Sequence, residues 1–326
     1  MDVLADVLAA NRIGGAVVAH LRACGEWGCG IDRLDQAAFH VISRGTCWLR
    51  LPGRAPLRLD QGDIAILPTG VEHILATRRE GPVTPYGQIA AEHSRGGDGA
   101  ADIDLGSDGA LTKVICGKFQ YASDRAHPVL SQLPEVVHVP GDGAGADADL
   151  QSLIRLLVSE LDRPRPGGRT TLTRLTDVLF IYALRAWSAS NEPARPGWLY
   201  GLRDPDIAAA LAGMHAHPDR AWSVEDLADL ANMSRAAFAR RFTALVGEPP
   251  LAYLTRWRME LAARYLRESN ELVARIAERV GYRSEYAFSR AFSRAFDEPP
   301  GRYRRAHRVP EQLHRQIEAH DANLVS

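Results

Sequence analysis

The stretch Ser234-Arg-Ala-Ala-Phe-Ala-Arg-Arg-Phe242 recurs 50 residues later as Ser284-Glu-Tyr-Ala-Phe-Ser-Arg-Ala-Phe292. Glu248-Pro-Pro250 recurs at the same offset, and upstream the offset falls to 49, where Leu227-Ala228 matches Ile276-Ala277. A repeat of this length indicates one supersecondary unit that is used twice. The single-residue difference in offset predicts two helices joined by a turn, because a turn can absorb one additional residue.

Each copy has the sequence pattern of two helices. A short helix, predicted at 224–230 and at 273–280, carries a small residue, Ala228 or Ala277, facing its partner. The serine before the second helix can cap it, because a hydroxyl oxygen accepts a hydrogen bond from a free backbone N–H. Two phenylalanines four residues apart share one face of that helix and are predicted to be buried, so the residues between them point outward. This arrangement is a helix-turn-helix, whose second helix enters the major groove of DNA.

The distribution of charge favours this interpretation over an ordinary helical bundle with a duplicated hairpin. The 326 residues include 39 basic and 40 acidic side chains, so the formal net charge is -1. That balance excludes a uniformly basic nucleic-acid coat and an acidic solvating tail. Between Arg235 and Arg308, however, 16 arginines stand against 8 acidic residues. Positive charge concentrated beside two outward-facing helices is typical of phosphate binding.

Composition along the chain predicts an α+β multidomain protein. Residues 1–140 contain short apolar stretches separated by Gly, Pro and Asp, which is typical of strands and turns, and the glycine- and aspartate-rich residues 96–110 predict a surface loop. Helical periodicity then begins. We predict a helical connector at 141–197, an all-α domain with two helix-turn-helix motifs at 204–305, and a flexible tail at 306–326.

Cysteine usage and the chain start exclude other classes. Four cysteines without a CxxC pair do not indicate a secreted disulfide scaffold. The first residues lack the basic region of a signal peptide, and the apolar run at 178–184 is far shorter than a membrane span. We therefore predict a cytoplasmic protein with reduced thiols.

The region from about Asp204 to Arg305 resembles the AraC/XylS family of bacterial transcription regulators. The resemblance covers both helix-turn-helix units, the connecting helix at 250–266 and the second-copy signature at 276–303. It implies a domain of about seven helices that reads two successive major-groove segments on one face of DNA, about one helical turn apart. By alignment to the family, the base-reading positions are Ala236, Ala239 and Arg240 in the first unit and Glu285, Tyr286, Ser289 and Arg290 in the second.

Arginine is the side chain best suited to read guanine, since it can pair with O6 and N7 at once. Arg240 and Arg290 are therefore the strongest candidates for base contacts. The alternative for Arg290 is a phosphate contact or a solvated surface charge. Ala236 and Ala239 leave the first unit with methyl contacts to thymine or with recognition of DNA shape.

The first half contains the second of the two cupin sequence motifs. The stretch from Gly62 to His73 fits the pattern G-x5-P-x-G-x2-H, and the resemblance implies that His73 stands where cupin enzymes hold a metal. The first motif is incomplete, because His40 stands alone where those enzymes have two histidines and a carboxylate. Three protein ligands are the usual minimum for a metal site. His40, His73 and a cysteine are the candidates; the alternative is that the histidines are hydrogen-bonded parts of a β-barrel.

Residues 1–140 resemble the cupin-type sensor domain of a subgroup of these regulators, and in particular its reactive-chlorine-sensing members. In those members two cysteines respond to oxidant, and by alignment they correspond to Cys24 and Cys116. A sensor thiol must be accessible and largely ionised, and Arg22 and Lys118 are the nearby cations in sequence. Two alternatives stay open: Cys116 is an inert buried thiol, or the barrel binds a small organic effector.

These features together predict a sequence-specific transcriptional regulator, not an enzyme, whose cupin domain modulates DNA binding in response to a small effector or an oxidant. The expected partners are double-stranded DNA and a second copy of the chain, joined through the connector helices. RNA polymerase is a further candidate partner, and no membrane is expected. The alternatives are a metal-dependent cupin enzyme with an attached helical module, and a DNA-binding scaffold whose barrel is inert.

Overall fold

The chain forms two compact units, one comprising Arg12–Arg195 and the other Pro196–Ser326 together with Met1–Asn11. No helix in the described ranges is long and apolar enough to cross a bilayer. Residues 190–195 of the predicted connector and residues 309–326 of the predicted tail lie outside the described residues. The computed structural model describes residues 2–11, 14–95, 101–120, 133–142, 147–163, 165–189 and 196–308.

The first part of the chain consists of short strands followed by two long helices. In chain order the elements are α1 (Val3–Asn11), β1 (Gly14–Cys24), β2 (Gly28–Ile31), β3 (Ala37–Arg44), β4 (Cys47–Arg50), β5 (Leu57–Leu59), β6 (Ile64–Leu67), β7 (His73–Ala76), β8 (Thr84–Pro85), α2 (Tyr86–His93), β9 (Ser94–Arg95), β10 (Ala101–Leu105), β11 (Leu111–Gln120), β12 (Val137–Val139), α3 (Ala148–Asp162) and α4 (Gly168–Ala189).

The strands form two sheets that share one apolar core. One sheet has the order β12-β6-β3-β11-β1-β10-β9 and the other the order β5-β4-β7-β2-β8. Leu21 and Ile42 of the first sheet and Leu49 and Leu75 of the second belong to the same buried cluster. Full burial of each such side chain contributes about 1.5–3 kcal/mol, which holds the two sheets together. The predicted β-domain is therefore confirmed.

The prediction of a loop throughout 96–110 is wrong for Ala101–Leu105, which form strand β10, and residues 96–100 lie outside the described residues. Strand β10 pairs in parallel with β1, Ile103 is buried, and the Asp104 carboxylate accepts a hydrogen bond from Arg22 Nε at 2.7 Å. The alternation Asp-Ile-Asp is a strand pattern with a period of two. Five glycines and four aspartates in the same window concealed it.

The two helices of the predicted connector pack on each other and on the β-domain. Asp147 caps α3 through its side chain, and Leu150, Ile154 and Leu157, which form an apolar stripe with helical spacing, are buried. Helix α4 lies against β1 and β12 as well as against α3. The helix pair is thus part of the same compact unit as the sheets.

The second unit is all-helical, as predicted. Phe238, Phe242, Phe288 and Phe292 are completely buried, so the second helix of each helix-turn-helix is anchored through the predicted face. Its helices are α5 (Trp198–Gly201), α6 (Pro205–Ala216), α7 (Val224–Leu230), α8 (Arg235–Val246), α9 (Pro250–Glu268), α10 (Val273–Arg279), α11 (Glu285–Phe296) and α12 (Pro300–His307). The two helix-turn-helix units are α7–α8 and α10–α11, and α9 contacts helices of both.

Helix α1 packs with this second unit rather than with the strands that follow it. It contacts α6 and α9, and Val3, Leu4 and Val7 are buried. The Asp6 carboxylate lies 3.5 Å from Nδ1 of His215, a buried histidine of α6. Assigning these residues to a sensor domain at 1–140 followed the order of the sequence, whereas long-range packing determines which apolar surface the helix covers.

The two turns explain why the repeat has offsets of both 49 and 50. Asn232 and Gly281, 49 residues apart, each adopt a left-handed backbone with φ of 50° and 80°. Met233 N–H then donates to the carbonyl of Ala228, and Tyr282 N–H makes the matching bond in the second unit. Arg283 is the additional residue before the capping serine of α11.

Gly281→Ala is expected to lower the free energy of unfolding by more than 1 kcal/mol, because left-handed backbone at a non-glycine residue costs about 1–3 kcal/mol. A Cβ at this position would also lie 2.7 Å from the Arg258 guanidinium and 2.9 Å from the Asp219 carbonyl. Gly301 in α12 is the matched control, since a Cβ there meets nothing within 4 Å. Gly301→Ala should stabilise by about 0.5–1 kcal/mol. Chemical denaturation checks both; equal effects would contradict the assignment of strain to Gly281.

Candidate nucleic-acid interface and sensor cavity

Helices α8 and α11 begin at the predicted serines. The Ser234 hydroxyl accepts from the backbone N–H of Ala237, and the Ser284 hydroxyl accepts from that of Ala287, both at 3.4 Å. These bonds satisfy backbone donors that the first helical turn leaves free. With the phenylalanines buried below, the opposite face of each helix is directed to solvent.

The seven predicted base-reading residues all keep some accessible surface. Tyr286 is 72% exposed, the second-highest value among the large apolar or aromatic side chains on the described surface, and the Arg290 guanidinium lies 5.8 Å from the centre of its ring. Two of the seven, Ala239 and Ser289, are half-buried. The other five are exposed: Ala236, Arg240, Glu285, Tyr286 and Arg290.

Many arginines of this unit are engaged in its own packing, so the simple surplus of 16 over 8 overstates the charge available to DNA. Arg241 Nε donates to the capping carboxylate of Asp204 at 2.8 Å. Arg256 pairs with Glu248 and with the buried Glu260. Similar ion pairs engage other arginines of α9 and α10.

A second set of arginines is exposed and makes no ion pair within the described residues. Arg240 and Arg290, on α8 and α11, belong to this set. A guanidinium without a carboxylate partner keeps its full charge and its five donors for a phosphate or a base edge. The remaining members lie after α10, along α11 and at the end of α12: Arg283, Arg294, Arg305 and Arg308.

In the β-domain, His40, His73 and Cys116 form one continuous hydrogen-bonded chain. Nδ1 of His40 lies 3.2 Å from the Cys116 sulfur, and Nε2 of His40 lies 2.8 Å from Nε2 of His73. Nδ1 of His73 lies 2.7 Å from the carbonyl oxygen of Val71. Strand pairing sets this geometry, since His40 on β3 and Cys116 on β11 are register partners. Both histidines are buried.

This geometry does not fit a metal held by His40, His73 and a cysteine. Two nitrogens bound tetrahedrally to one zinc would lie about 3.3 Å apart, whereas 2.8 Å is a hydrogen-bonding distance. Cys116 and His73 also contact opposite nitrogens of the His40 ring, so no single point is shared by all three. Among the described residues, no group of three or more His, Cys, Asp or Glu side chains is placed to hold a metal ion. The hydrogen-bonded alternative is the one observed.

Next to this chain lies a cavity of about 170 Å³ with mainly apolar walls. His40 and Cys116 line it, and Cys116 keeps part of its surface accessible there. Cys29 on β2 and Tyr86 on α2 line the same cavity. No local sequence pattern marks Cys29, because only the packing of the two sheets brings it to the same cavity as Cys116 of β11.

Cys24 lies far from this cavity. It pairs with Leu111 at one end of β11, whereas Cys116 pairs with Ala19 five residues along. At about 3.3 Å per residue the two cysteines are about 17 Å apart, well beyond the 7 Å limit for Cα atoms joined by a disulfide. Cys24 and Cys116 are therefore separate sites within one chain.

Burial keeps His40, His73 and the two cavity thiols, Cys29 and Cys116, uncharged at neutral pH. Desolvation, together with the neighbouring His73, holds the pKa of His40 well below its ordinary value, and desolvation also lowers the pKa of His73. Burial raises the pKa of Cys116 well above its ordinary value and raises the pKa of Cys29 to about 11. At neutral pH the resting chain therefore consists of a thiol and two neutral imidazoles.

Comparison with known protein families gives two matches. Residues 2–189 match a cupin family model, and residues 227–306 match a helix-turn-helix domain model. The first match includes α3 and α4, in agreement with the packing of both helices on the β-domain.

The chain is also similar to known proteins over most of its length. It is 39% identical to a putative AraC-like transcription regulator of Streptomyces lividans, over 95% of this chain and all of the relative. It is 28% identical to the RCS-specific HTH-type transcriptional activator RclR of Escherichia coli K12, over 93% of this chain and 97% of that protein. Among solved structures, the DNA-binding domain of AdpA in complex with a target DNA is 36% identical, covering 32% of this chain and 93% of that one, with a TM-score of 0.30.

Proposed function

Since this chain belongs to the AraC-like transcription regulators, with a cupin domain before its DNA-binding domain, we propose that α8 and α11 read one DNA sequence together and that the cupin domain adjusts this binding to a chemical signal. The metal-dependent enzyme alternative is not retained, because the candidate ligands do not converge on a common point and the relatives are regulators.

The observation that carries the DNA-reading proposal is the contrast between bound and unpaired arginines. Arg241 is held by Asp204, whereas its neighbour Arg240 is exposed and has no ion pair within the described chain. Arg290 occupies the matching position on α11. We assign base contacts to these two arginines and to Ala236, Ala239, Glu285, Tyr286 and Ser289, with the remaining unpaired arginines on phosphates.

For the signal, we propose a small effector or an oxidant that acts at the cavity. Support comes from its apolar walls and its two thiols. An RCS-specific relative adds weight to the oxidant. Cys24, half-buried at the end of β1, is proposed as a separate oxidant-responsive thiol.

We also propose that the protein is a homodimer joined through α3 and α4, and that it acts with RNA polymerase. Leu156 of α3 is 57% exposed and Val178 of α4 is 39% exposed, so each helix presents an apolar side chain on its outer side. Sedimentation tests the dimer: a single species with the mass of one chain at micromolar concentration would contradict it.

The proposed function is tested by selecting binding sites from a random DNA pool with the full-length protein. A recurring sequence should emerge, bound at least about 10³-fold more tightly than scrambled DNA at matched salt, and treatment with the signal should change that affinity. Recovery of no common sequence would refute specific reading. If oxidants and metabolites do not change the DNA affinity, the alternative of a DNA-binding scaffold with an inert barrel is favoured.

A further inference from the structure

We propose that Cys116 is a nucleophilic thiol whose proton is accepted by His40, that His73 fixes His40 in the accepting form, and that the site reacts with small uncharged electrophiles that enter the apolar cavity. This inference deepens the proposed sensing function and rests on it. It gives His40 and His73 roles other than metal binding: a base and a positioning residue.

The direction of the hydrogen bonds carries the argument. A carbonyl oxygen can only accept, so His73 Nδ1 must carry the proton that it shares with Val71. In a neutral ring Nε2 of His73 is then an acceptor, and the hydrogen at 2.8 Å must come from Nε2 of His40. His40 Nδ1 is consequently left with its lone pair, and the atom it faces is the Cys116 sulfur at 3.2 Å. The thiol hydrogen therefore points at a base whose tautomer is fixed by two further bonds.

The hydrogen-bonded residues can accept the proton that Cys116 loses when it reacts. As the sulfur forms its bond to the electrophile, its proton passes to Nδ1 of His40, and the leaving group departs with the bonding electrons. With hydrogen peroxide the products are Cys116 sulfenic acid and water, so the sulfur is oxidised by two electrons and the peroxide is reduced. With iodoacetamide the products are the thioether, iodide and one proton.

The surroundings of Cys116 select the class of reactant. The cavity volume of about 170 Å³ fits a molecule of a few heavy atoms, and its walls are mainly apolar. Lys118 is the one charged residue among those that line it. Elsewhere the walls offer an anion no partner to replace its hydration, which favours an uncharged reactant. The titratable groups that face Cys116 are His40, Cys29, Cys47 and Tyr86. These four groups are neutral at pH 7. Lys118 also lines the cavity, but a lysine ammonium has only hydrogen-bond donors, so His40 is the base available to the thiol.

Cys47 is the internal control. It is as buried as the residues of the core, and burial raises its pKa to about 12. Within the described residues it has no hydrogen bond to an imidazole. Cys116 differs from Cys47 in access as well as in its imidazole partner, so Cys29 is the second control. It lines the same cavity as Cys116 and, within the described residues, has no hydrogen bond to an imidazole.

The test measures the rate of modification of each cysteine in the full-length protein by mass spectrometry, between pH 6.5 and 8.5. With iodoacetamide, Cys116 should react at least about tenfold faster than both Cys47 and Cys29, with little dependence on pH. His40→Gln should slow Cys116 by about tenfold or more and make its rate rise about tenfold per pH unit, as expected for an unassisted thiol. His138→Gln, in the same domain but paired with Asp63, should leave the rate unchanged. Equal rates for wild type and His40→Gln would overturn the proposal.

Two further measurements remain decisive if the variant does not fold. Iodoacetate has the same leaving group as iodoacetamide, but it carries a negative charge. Replacing iodoacetamide with iodoacetate should therefore lower the reaction rate more at Cys116 than at the half-buried Cys24. Imidazole ¹⁵N shifts of the wild-type protein should show hydrogen on Nε2 of His40 and on Nδ1 of His73. Hydrogen on Nδ1 of His40 would refute its proposed role as the acceptor of the Cys116 proton. If His40 does not accept the Cys116 proton, the protein can still select one DNA sequence. The proposed role of His40 and the proposed DNA reading can therefore be refuted separately.

Discussion

The variant Arg240→Ala/Arg290→Ala is expected to lose most of its sequence-specific DNA affinity while keeping its stability. Loss of a bidentate arginine–guanine pair costs about 1–3 kcal/mol, and substitutions on separate helices add when they do not share partners. The double variant should therefore lose about 2–6 kcal/mol of binding free energy on the selected site. Neither arginine makes an ion pair within the described chain, so the unfolding midpoint should change little. Fluorescence anisotropy at fixed salt measures the first effect and thermal unfolding the second.

Arg241→Ala is the matched control for this experiment. Its guanidinium is bound to Asp204, the cap of α6, so its loss should lower stability and leave discrimination between sequences unchanged. If the double variant instead loses affinity equally for every sequence, with a weaker dependence on salt, both arginines contact phosphates. An unchanged affinity for the selected site would remove α8 and α11 from the interface.

Phe288→Ala and Tyr286→Ala, two residues apart on α11, should have opposite effects: the first should lower stability and the second should weaken DNA binding. Phe288 is completely buried and lies 5.7 Å, centre to centre, from the rings of both Phe292 and Tyr282. Its truncation should cost about 3–5 kcal/mol of unfolding free energy through lost burial and the remaining cavity. Tyr286 is 72% exposed, and its truncation should change stability by no more than about 0.5 kcal/mol.

DNA binding separates the same pair in the other direction. Tyr286→Ala should weaken binding to the selected site at a temperature at which the variant is fully folded. Phe288→Ala should weaken binding only in proportion to its unfolded fraction. Chemical denaturation gives the unfolding free energy of each variant, and fluorescence anisotropy at 10 °C gives its DNA affinity. A strongly destabilised Tyr286→Ala would contradict the outward orientation of this face.

The helical half of the molecule was predictable because its determinants are local. A serine cap, a phenylalanine pair four residues apart and a turn that tolerates one inserted residue all act within about 25 residues. Helix periodicity therefore identified α8 and α11, and the repeat in the sequence confirmed each copy by the other. The connector stripe at Leu150, Ile154 and Leu157 was predictable for the same reason.

The sensor site was predictable only in part, because long-range pairing assembles it. His40, His73 and Cys116 were each singled out, but two as metal candidates and the third as a separate redox thiol. Only the register of β3 against β11 makes His40 and Cys116 neighbours. Cys29 reaches the cavity from the other sheet, and α1 joins a unit that begins almost two hundred residues later. No local pattern carries that information.

Above all, we propose that α8 and α11 read two successive segments of one DNA site. This proposal is tested most directly by inserting five base pairs between the two segments of the selected site. Because a helical turn contains about 10–10.5 base pairs, this insertion turns one segment to the opposite side of the duplex. Affinity for the lengthened site is expected to fall to that for a site with one segment scrambled. Affinity equal to that of the intact site would contradict it.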